Sequence, residues 1–509
     1  MGKAIILAYD LGTSGVKASM INEDGVIRAT CTVPYHTYYL RDNIAEQNAE
    51  DWWKAVIDAT QLLIEKDSAV ASDIAVIGVS GHMLGCLPVD QNNNPLLPHM
   101  LHSDGRSVKQ YETIRREIGA DYLYKMSGNI LDVRSTLCKI LWIKENAPEI
   151  YARTYKFLQS KDYITAKLTG NPDTTDYSDA CHAELMNIEK RAYEPEIYSQ
   201  LGLSVDKLPE LHRGIDVIGH VTEESAALLG VHAGIPVIAG GGDGACSTLG
   251  AGNTMPGEVH LSLGTTAWFA GLCENPIIDP HARLFNIMNL DGETCCALGA
   301  MQAAGASIRW VCSLLGIDVS EISGLASTVS EGSEGLIYLP YLDGERTPVY
   351  DINACGVFMG ISQKHTNAHF ARAVMEGVAY ALKQIVECLH EFMPFSKAAA
   401  IGGGMKSSLW AQIISDITGI ELDVLSVPAD DATSLGIASA AGTAVGIFSD
   451  LKASIKHIQT TAVIHPNQMK TAYCRNFGAY GQLYPKLKDI MTELARKETG
   501  SLEGDDVRF

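Results

Sequence analysis

The first 25 residues run apolar, halt, and then alternate. Ile5, Ile6, Leu7, Ala8 and Tyr9 form a continuous run that stops at Asp10-Leu11-Gly12-Thr13-Ser14-Gly15, and beyond it Val16, Ala18 and Met20 recur at every second position. A continuous apolar run reads as a buried strand and alternation as a half-buried one, so 4–25 predicts a β-hairpin with a polar turn. Downstream the period changes. Trp53, Val56, Ile57, Thr60, Leu63 and Ile64 fall at helical spacing behind the acids Glu50 and Asp51, which predicts a helix over 50–65. "IAVIGVSG" (74–81) predicts a buried strand, and 234–252 a strand, a glycine run and a small-residue helix. Residues 369–392 predict a long helix with apolar positions 374, 378, 381, 382, 385 and 389, and 398–419 again a strand, a glycine turn and a helix. Strands interleaved with helices make the class mixed α/β.

The hairpin has an echo. "VHLSLGTTAWFAG" (259–271) aligns with "LAYDLGTSGVKAS", placing Leu263-Gly264-Thr265-Thr266 on Leu11-Gly12-Thr13-Ser14, about half a chain length apart. A repeat at that offset predicts an internal duplication, with two similar domains each offering a polar hairpin turn. No low-complexity linker divides the chain. The boundary is expected at a short hinge near 250–256, giving domains 1–254 and 255–509.

Composition narrows the class. The chain has 509 residues, enough for two or more domains. Its net charge is −21 and it carries no basic block, which argues against binding the nucleic-acid backbone. Twelve cysteines without a CxxC pair predict free thiols in a reducing compartment. The first apolar run is too short for a signal peptide, and no stretch approaches the ~18 apolar residues that span a bilayer. A cytoplasmic protein that binds neither nucleic acid nor membrane is expected. Fifteen histidines form no HExxH and no compact ligand cluster, so no structural metal is assigned.

The turns suggest chemistry. Turn N–H groups and the hydroxyls of Thr13 and Ser14 are donors suited to phosphate oxygens, and the paired turns suggest one phosphate group held from both sides. Asp10 would repel phosphate unless a cation stood between them, and Mg²⁺, often bound through waters, is the natural one. The first turn matches neither G-x-G-x-x-G nor G-x-x-x-x-G-K-[ST], and the lack of the former argues against a nicotinamide-dependent dehydrogenase. Asp243 stands among four glycines in "AGGGDGA". It reads either as a general base toward a substrate hydroxyl or as a cap of the helix that follows. "IGGGMKSSLWAQ" leads a glycine turn into a helix whose N-terminus suits a nucleotide, and Lys406 there is either a phosphate partner or a solvated side chain.

Together these segments resemble the FGGY family of carbohydrate kinases, most closely its xylulokinase-like branch. The resemblance runs nearly end to end. It is carried by "DLGTSGVKA" (10–18), "AEQNAEDWW" (45–53), "GHMLG" (81–85), "SDGRS" (103–107), "KDYITAKLTG" (161–170), "DYSDA" (176–180), "GGGDG" (240–244), "LSLGTT" (261–266), "PYLDGERTP" (340–348), "GVFMGISQKHTNAHFARAVME" (356–376), "GGGMKSSLW" (402–410) and "DATSLGIASAAG" (431–442). It implies two ribonuclease H-like domains of the actin/Hsp70/sugar-kinase superfamily with an interdomain cleft, ATP and Mg²⁺ as cofactors, and a homodimer. It implies Asp243 as catalytic base, Asp10 as the acid that places Mg²⁺ through water, and Gly12, Thr13, Ser14, Gly264, Thr265 and Thr266 as phosphate turns. Gly403, Gly404 and Met405 match the adenosine turn, and His82, Met83, Asp104 and Arg106 the carbohydrate pocket. The implied reaction is phosphorylation of a ketopentose such as D-xylulose. Ribulose, a tetrose derivative, gluconate and a glycerol-like polyol are alternatives, as is a non-catalytic ATP-binding member of the fold.

Three positions depart from the xylulokinase pattern. Leu84 replaces a histidine while a histidine stands at 82, His102-Ser103-Asp104 replaces Trp-Asn/Gln-Asp, and Arg134 stands where a small or aromatic residue is customary. Residues two apart on an extended strand share a face, so His82 is expected to be able to stand in for position 84.

Overall fold

The computed structural model describes residues 4–40, 43–66 and 71–500. The described residues divide into two units, one made of those within 1–256, 272–297 and 430–459, the other of those within 257–271, 298–429 and 460–500.

In the first unit the opening hairpin forms as its pattern predicts. Ile5–Leu11, buried nearly throughout, pairs antiparallel with Gly15–Asn22, which pairs antiparallel with Ile27–Pro34. On its other edge Ile5–Leu11 pairs parallel with Ile74–Gly81, and that strand pairs parallel with Pro236–Ile238 and with the two-residue strand Gly241–Gly242. The helix Ala49–Lys66 covers this sheet. Of its expected face Trp53, Val56, Thr60 and Leu63 are buried, joined by Trp52, Ala55 and Ala59, whereas Ile57 and Ile64 are half-buried. The small Ala55 and Ala59 let the helix lie close to the sheet, and Tyr9 Oη and Thr60 Oγ1 hydrogen-bond across the join at 2.6 Å.

The second unit repeats the scheme. Val259–Leu263 pairs antiparallel with Ala267–Cys273 and parallel with Lys397–Ile401, which pairs parallel with Glu421–Leu425. Each unit thus has an antiparallel hairpin whose first strand continues the sheet through a parallel neighbour, as the sequence echo predicts. The helix Asn367–His390 is buried along most of its length, and Gly377 lets it touch the short strand Ile337–Leu339, which lies outside this sheet: a Cβ there would stand 2.4 Å from Tyr338 O.

One helix crossing in the first unit bears on the site. Asp243–Gly250 and Ala429–Ala444 meet main chain to main chain. A Cβ on Gly250 would stand 1.8 Å from Ala432 O, and a Cβ on Gly436 would stand 1.8 Å from Cys246 O. All twelve cysteines are free thiols. No helix among the described residues is long and apolar enough to cross a membrane.

Candidate active site

Three adjacent parallel strands in the first unit end at one level. Asp10 is in register with Ser80, and Ser80 with Gly241; Leu11 is in register with Gly81, and Gly81 with Gly242. The next residues of these strands are therefore neighbours: Gly12 and its turn, His82 and Met83, and Asp243. His82 N–H donates to Leu11 O at 3.0 Å, and Met83 packs over Gly242, where a Cβ would meet its Sδ at 2.5 Å. Ligands of open α/β sheets gather outside the carboxyl ends of such strands.

Asp243 is the first residue of its helix, and Gly242 is the N-cap. The carboxylate therefore is not the cap, and Gly242 N–H is held from behind by Ser178 Oγ at 3.0 Å. The Asp243 side chain stays open to solvent although protein surrounds it. That surrounding mass pushes its carboxyl up to about 6, against the pull of the Gly244 N–H. Asp10 is half-buried; burial and then the charge of Asp243 push it up to about 7, eased by Lys17. Lys17 itself is tied to the Asp431 carboxylate and to Asp430 O.

The first turn is organised through its carbonyls. Gly12 O accepts from Tyr35 Oη, Thr13 O from Thr37 Oγ1 at 2.6 Å and Gln47 Nε2 at 2.8 Å, and Ser14 O from Tyr35 N at 3.2 Å. Because N–H and C=O of one trans peptide point opposite ways, the N–H groups of Thr13 and Ser14 face away from this support. They have no partner among the described residues.

In the second unit Gly264 and Thr265 do the same by other means. Gly264 O accepts from Gly305 N at 2.9 Å, and Thr265 O from Ala304 N at 3.0 Å and Ala306 N at 3.1 Å, all at the start of the helix Gly305–Leu315. The N–H groups of Thr265 and Thr266 are left facing outward, and Arg309 donates to Thr265 Oγ1 at 3.1 Å. The Gly402–Met405 turn packs on the end of the same strand. Gly402 has φ +115°, and a Cβ there would meet Leu263 O at 2.3 Å. Gly403 faces open space, Met405 is buried and Lys406 is exposed. Ser407 caps the helix Ser408–Thr418 by accepting from Trp410 N.

The residues expected to meet carbohydrate fall into two groups. His82 and Met83 lie at the strand ends beside Asp243. Asp104 is buried and paired, with Oδ2 accepting from Ala45 N at 2.8 Å and both oxygens accepting from Arg106, which also reaches Glu46 Oε1 at 2.6 Å. The shared strand face expected for positions 82 and 84 is absent. The strand ends at Gly81, and Leu84 adopts a left-handed φ of +61°, so 82 and 84 do not share a strand face. Buried Lys139 holds that conformation by donating to Leu84 O at 2.5 Å and Leu101 O at 2.6 Å. Arg134 forks onto Asp132.

Sequence reasoning passed over several residues here. Trp52 and His99 pack on His82, with ring centroids 5.7 Å and 5.2 Å away, and Gln47 joins His82 to the first turn. "AEQNAEDWW" was the signal: it carries Gln47 and Trp52 within one conspicuous polar–aromatic run.

Among the described residues no three His, Cys, Asp or Glu side chains form a metal-holding cluster. That donor set does not suit an all-protein cage. One or two carboxylates, Asp10 foremost, do fit Mg²⁺, which keeps most of its waters and takes its other ligands from substrate phosphates.

Residues 5–250 match the N-terminal domain of the FGGY family of carbohydrate kinases and residues 259–445 its C-terminal domain. The chain is 31% identical to the xylulose kinase of Bacillus subtilis over 96% of its own length and 98% of that protein's. It is 30% identical to the gluconokinase of the same organism over 82% and 84%. A crystal structure of a "xyloylose kinase" from Brucella ovis superposes with a TM-score of 0.90 at 27% identity, covering 96% of this chain and all of that one. The repeated hairpin-and-parallel-strand units are therefore those of the actin/Hsp70/sugar-kinase superfamily. Within it, the chain belongs to the FGGY family of carbohydrate kinases, phosphotransferases that use ATP to phosphorylate a sugar.

Proposed function

We propose that the sugar is a ketopentose, D-xylulose foremost, and that transfer depends on Mg²⁺. The observation that carries this reading is the shared edge of three parallel strands, where Asp10, the first turn, His82–Met83 and Asp243 stand together. The relatives named xylulose kinase support the choice of sugar. The twelve free thiols fit a cytoplasmic setting.

In this reading Asp243 is the general base. A carboxyl near 6 is ionised at neutral pH yet basic enough to take a proton from a hydroxyl. The substrate O–H bond breaks as that oxygen bonds to the γ-phosphorus, and the bond from the γ-phosphorus to its bridging oxygen breaks to release ADP. The outward N–H groups of Thr13, Ser14, Thr265 and Thr266, with Gly12 and Gly264 permitting close approach, hold phosphate oxygens. Gly403, Gly404 and Met405 receive adenosine. His82 and Met83 line the carbohydrate pocket, with the Asp104–Arg106 pair behind it. Asp10 would hold Mg²⁺ through water, and the bound ion would neutralise charge on the phosphoryl oxygens.

The test is ADP release over D-xylulose, D-ribulose, gluconate, glycerol and a tetrose derivative. D-xylulose should give the highest kcat/KM, and a tenfold preference for another acceptor would overturn the choice. Asp243→Asn should lower kcat by about 10²–10⁴ with ATP affinity little changed. Near-normal turnover in that variant would remove Asp243 from the mechanism.

A further inference from the structure

Gln47 ends the strand Ile44–Gln47 and is fully buried. Its four contacts can be oriented without ambiguity. Nε2 lies 2.8 Å from Thr13 O and 2.7 Å from Thr37 Oγ1, and Oε1 lies 3.1 Å from Trp52 Nε1 and 3.2 Å from His82 Nε2. A carbonyl only accepts and an indole N–H only donates, so the amide nitrogen faces the turn and the amide oxygen faces Trp52 and His82. His82 Nε2 must then be the donor. Burial, with the charges of His102 and Lys139, pushes this imidazole down to about 3, so the ring is neutral. A neutral ring protonated on Nε2 has a bare lone pair on Nδ1. That nitrogen is buried and has no partner among the described residues. Buried acceptors are rarely left unpaired, so this one awaits a donor from outside the chain.

We propose that Gln47 is a positioning residue that serves both halves of the reaction through one amide. Its nitrogen draws the Thr13 carbonyl inward and so keeps the first turn's N–H groups outward. Its oxygen fixes the tautomer of His82, so that Nδ1 accepts a hydrogen bond from a carbohydrate hydroxyl. This rests on the reading of the first turn as phosphate-binding and of His82 as sugar-facing. The substrate must then present a hydroxyl, as donor, at that point, and an analogue with hydrogen there leaves Nδ1 unsatisfied.

Two substitutions separate the two roles in the full-length enzyme. Gln47→Glu keeps an acceptor toward His82 and Trp52 and, with its buried carboxyl protonated, leaves one O–H for Thr13 O and Thr37 Oγ1 in place of the two N–H donors. Gln47→Met removes acceptor and donors alike. The His82 tautomer is read by long-range ¹H–¹⁵N correlation on ¹⁵N-histidine-labelled protein, assigned against His82→Gln, and ATP affinity by calorimetry in the presence of Mg²⁺. The expected wild-type signature is a protonated Nε2 and a bare Nδ1. Gln47→Glu should keep Nε2 protonated, and Gln47→Met should lose that preference. Both should weaken ATP binding about tenfold when measured well below their lowered melting temperatures, and Thr37→Val should weaken it in the same direction. A wild-type His82 protonated on Nδ1 alone would overturn the tautomer, and this is read without any variant at position 47. ATP affinity within twofold of wild type in Gln47→Glu, Gln47→Met and Thr37→Val would overturn the role toward the turn. A wild-type enzyme without ATP affinity would instead overturn the phosphate-turn reading beneath it.

Discussion

The two hairpin turns present the same donors and are supported in opposite ways. Behind Gly12 and Thr13 stand side chains: the phenol of Tyr35, the hydroxyl of Thr37 and the amide of Gln47. Behind Gly264 and Thr265 stands main chain, the N–H groups of residues 304–306 that open a helix. Those helix N–H groups would otherwise lack intrahelical partners, so the second turn completes a helix end at the same time as it is braced. Duplicated sequence has thus kept the presented surface of the turn and not its scaffolding. The first support can be dismantled one hydrogen bond at a time, whereas the second yields only if the backbone moves.

The largest effect is expected where that backbone has no room. A Cβ on Gly305 would stand 2.5 Å from Gly264 O. Gly305→Ala must displace either the helix start or the turn, and forcing atoms into such a contact costs about 1–3 kcal/mol. We expect kcat/KM for ATP to fall by about 10²-fold, with a lowered Tm. Unchanged ATP kinetics would show that the second turn tolerates displacement and that the contrast is false. A smaller effect is expected on the first turn. Tyr35→Phe removes one hydrogen bond to Gly12 O and leaves the ring in place, which is worth about 1 kcal/mol, so KM for ATP should rise about fivefold with the fold intact. A loss as severe as that of Gly305→Ala would mean that side-chain support is no more forgiving than main-chain support.

The smallest effect sharpens the comparison through pH. Glu345 Oε1 accepts from Gln302 N at 2.7 Å, two residues before the N–H groups that brace the second turn. Burial pushes its carboxyl from 4.5 up to about 8. Between those values the folded chain keeps a proton that the unfolded chain releases. The associated stability is complete below about 4.5 and is lost as pH rises toward 8. Melting curves of wild type should therefore fall from pH 5 to pH 8 more steeply than those of Glu345→Gln. The difference between the two proteins isolates this group from Asp10 and Asp243, whose carboxyls are also raised. Parallel curves would remove Glu345 from the support. Gln47, the corresponding anchor of the first turn, is an amide and has no proton to lose in this range.

What the sequence made legible was local and periodic. The opening hairpin, its echo, the strand at 74–81 and the long helix near 369–390 all follow from apolar spacing. Asp243 stood out because glycines surround it. The supports of the turns were not legible, because Tyr35, Thr37 and Gln47 lie 21 to 35 residues from the turn and reach it only through sheet twist and strand pairing. The brace at 304–306 depends on where a helix begins, which spacing locates poorly. Leu84 misled for a different reason. Leucine seldom adopts a left-handed φ, so nothing in "GHMLG" announces that the strand has ended and the face relation between 82 and 84 is gone. The signal for that break lies far away, in the buried ammonium of Lys139.

The crossing of Gly250 and Gly436 constrains how this enzyme can change over evolutionary time. In most tight contacts a larger residue on one side is rescued by a smaller one opposite, and the two positions drift together. Here the obstacle to each glycine is the other helix's carbonyl oxygen, Ala432 O or Cys246 O, which belongs to every amino acid alike. No partner substitution can make space, so each position must remain glycine on its own account. The two should therefore look invariant rather than covarying across descendants of this fold, and a search for correlated change would pass over the contact that seats the helix bearing Asp243.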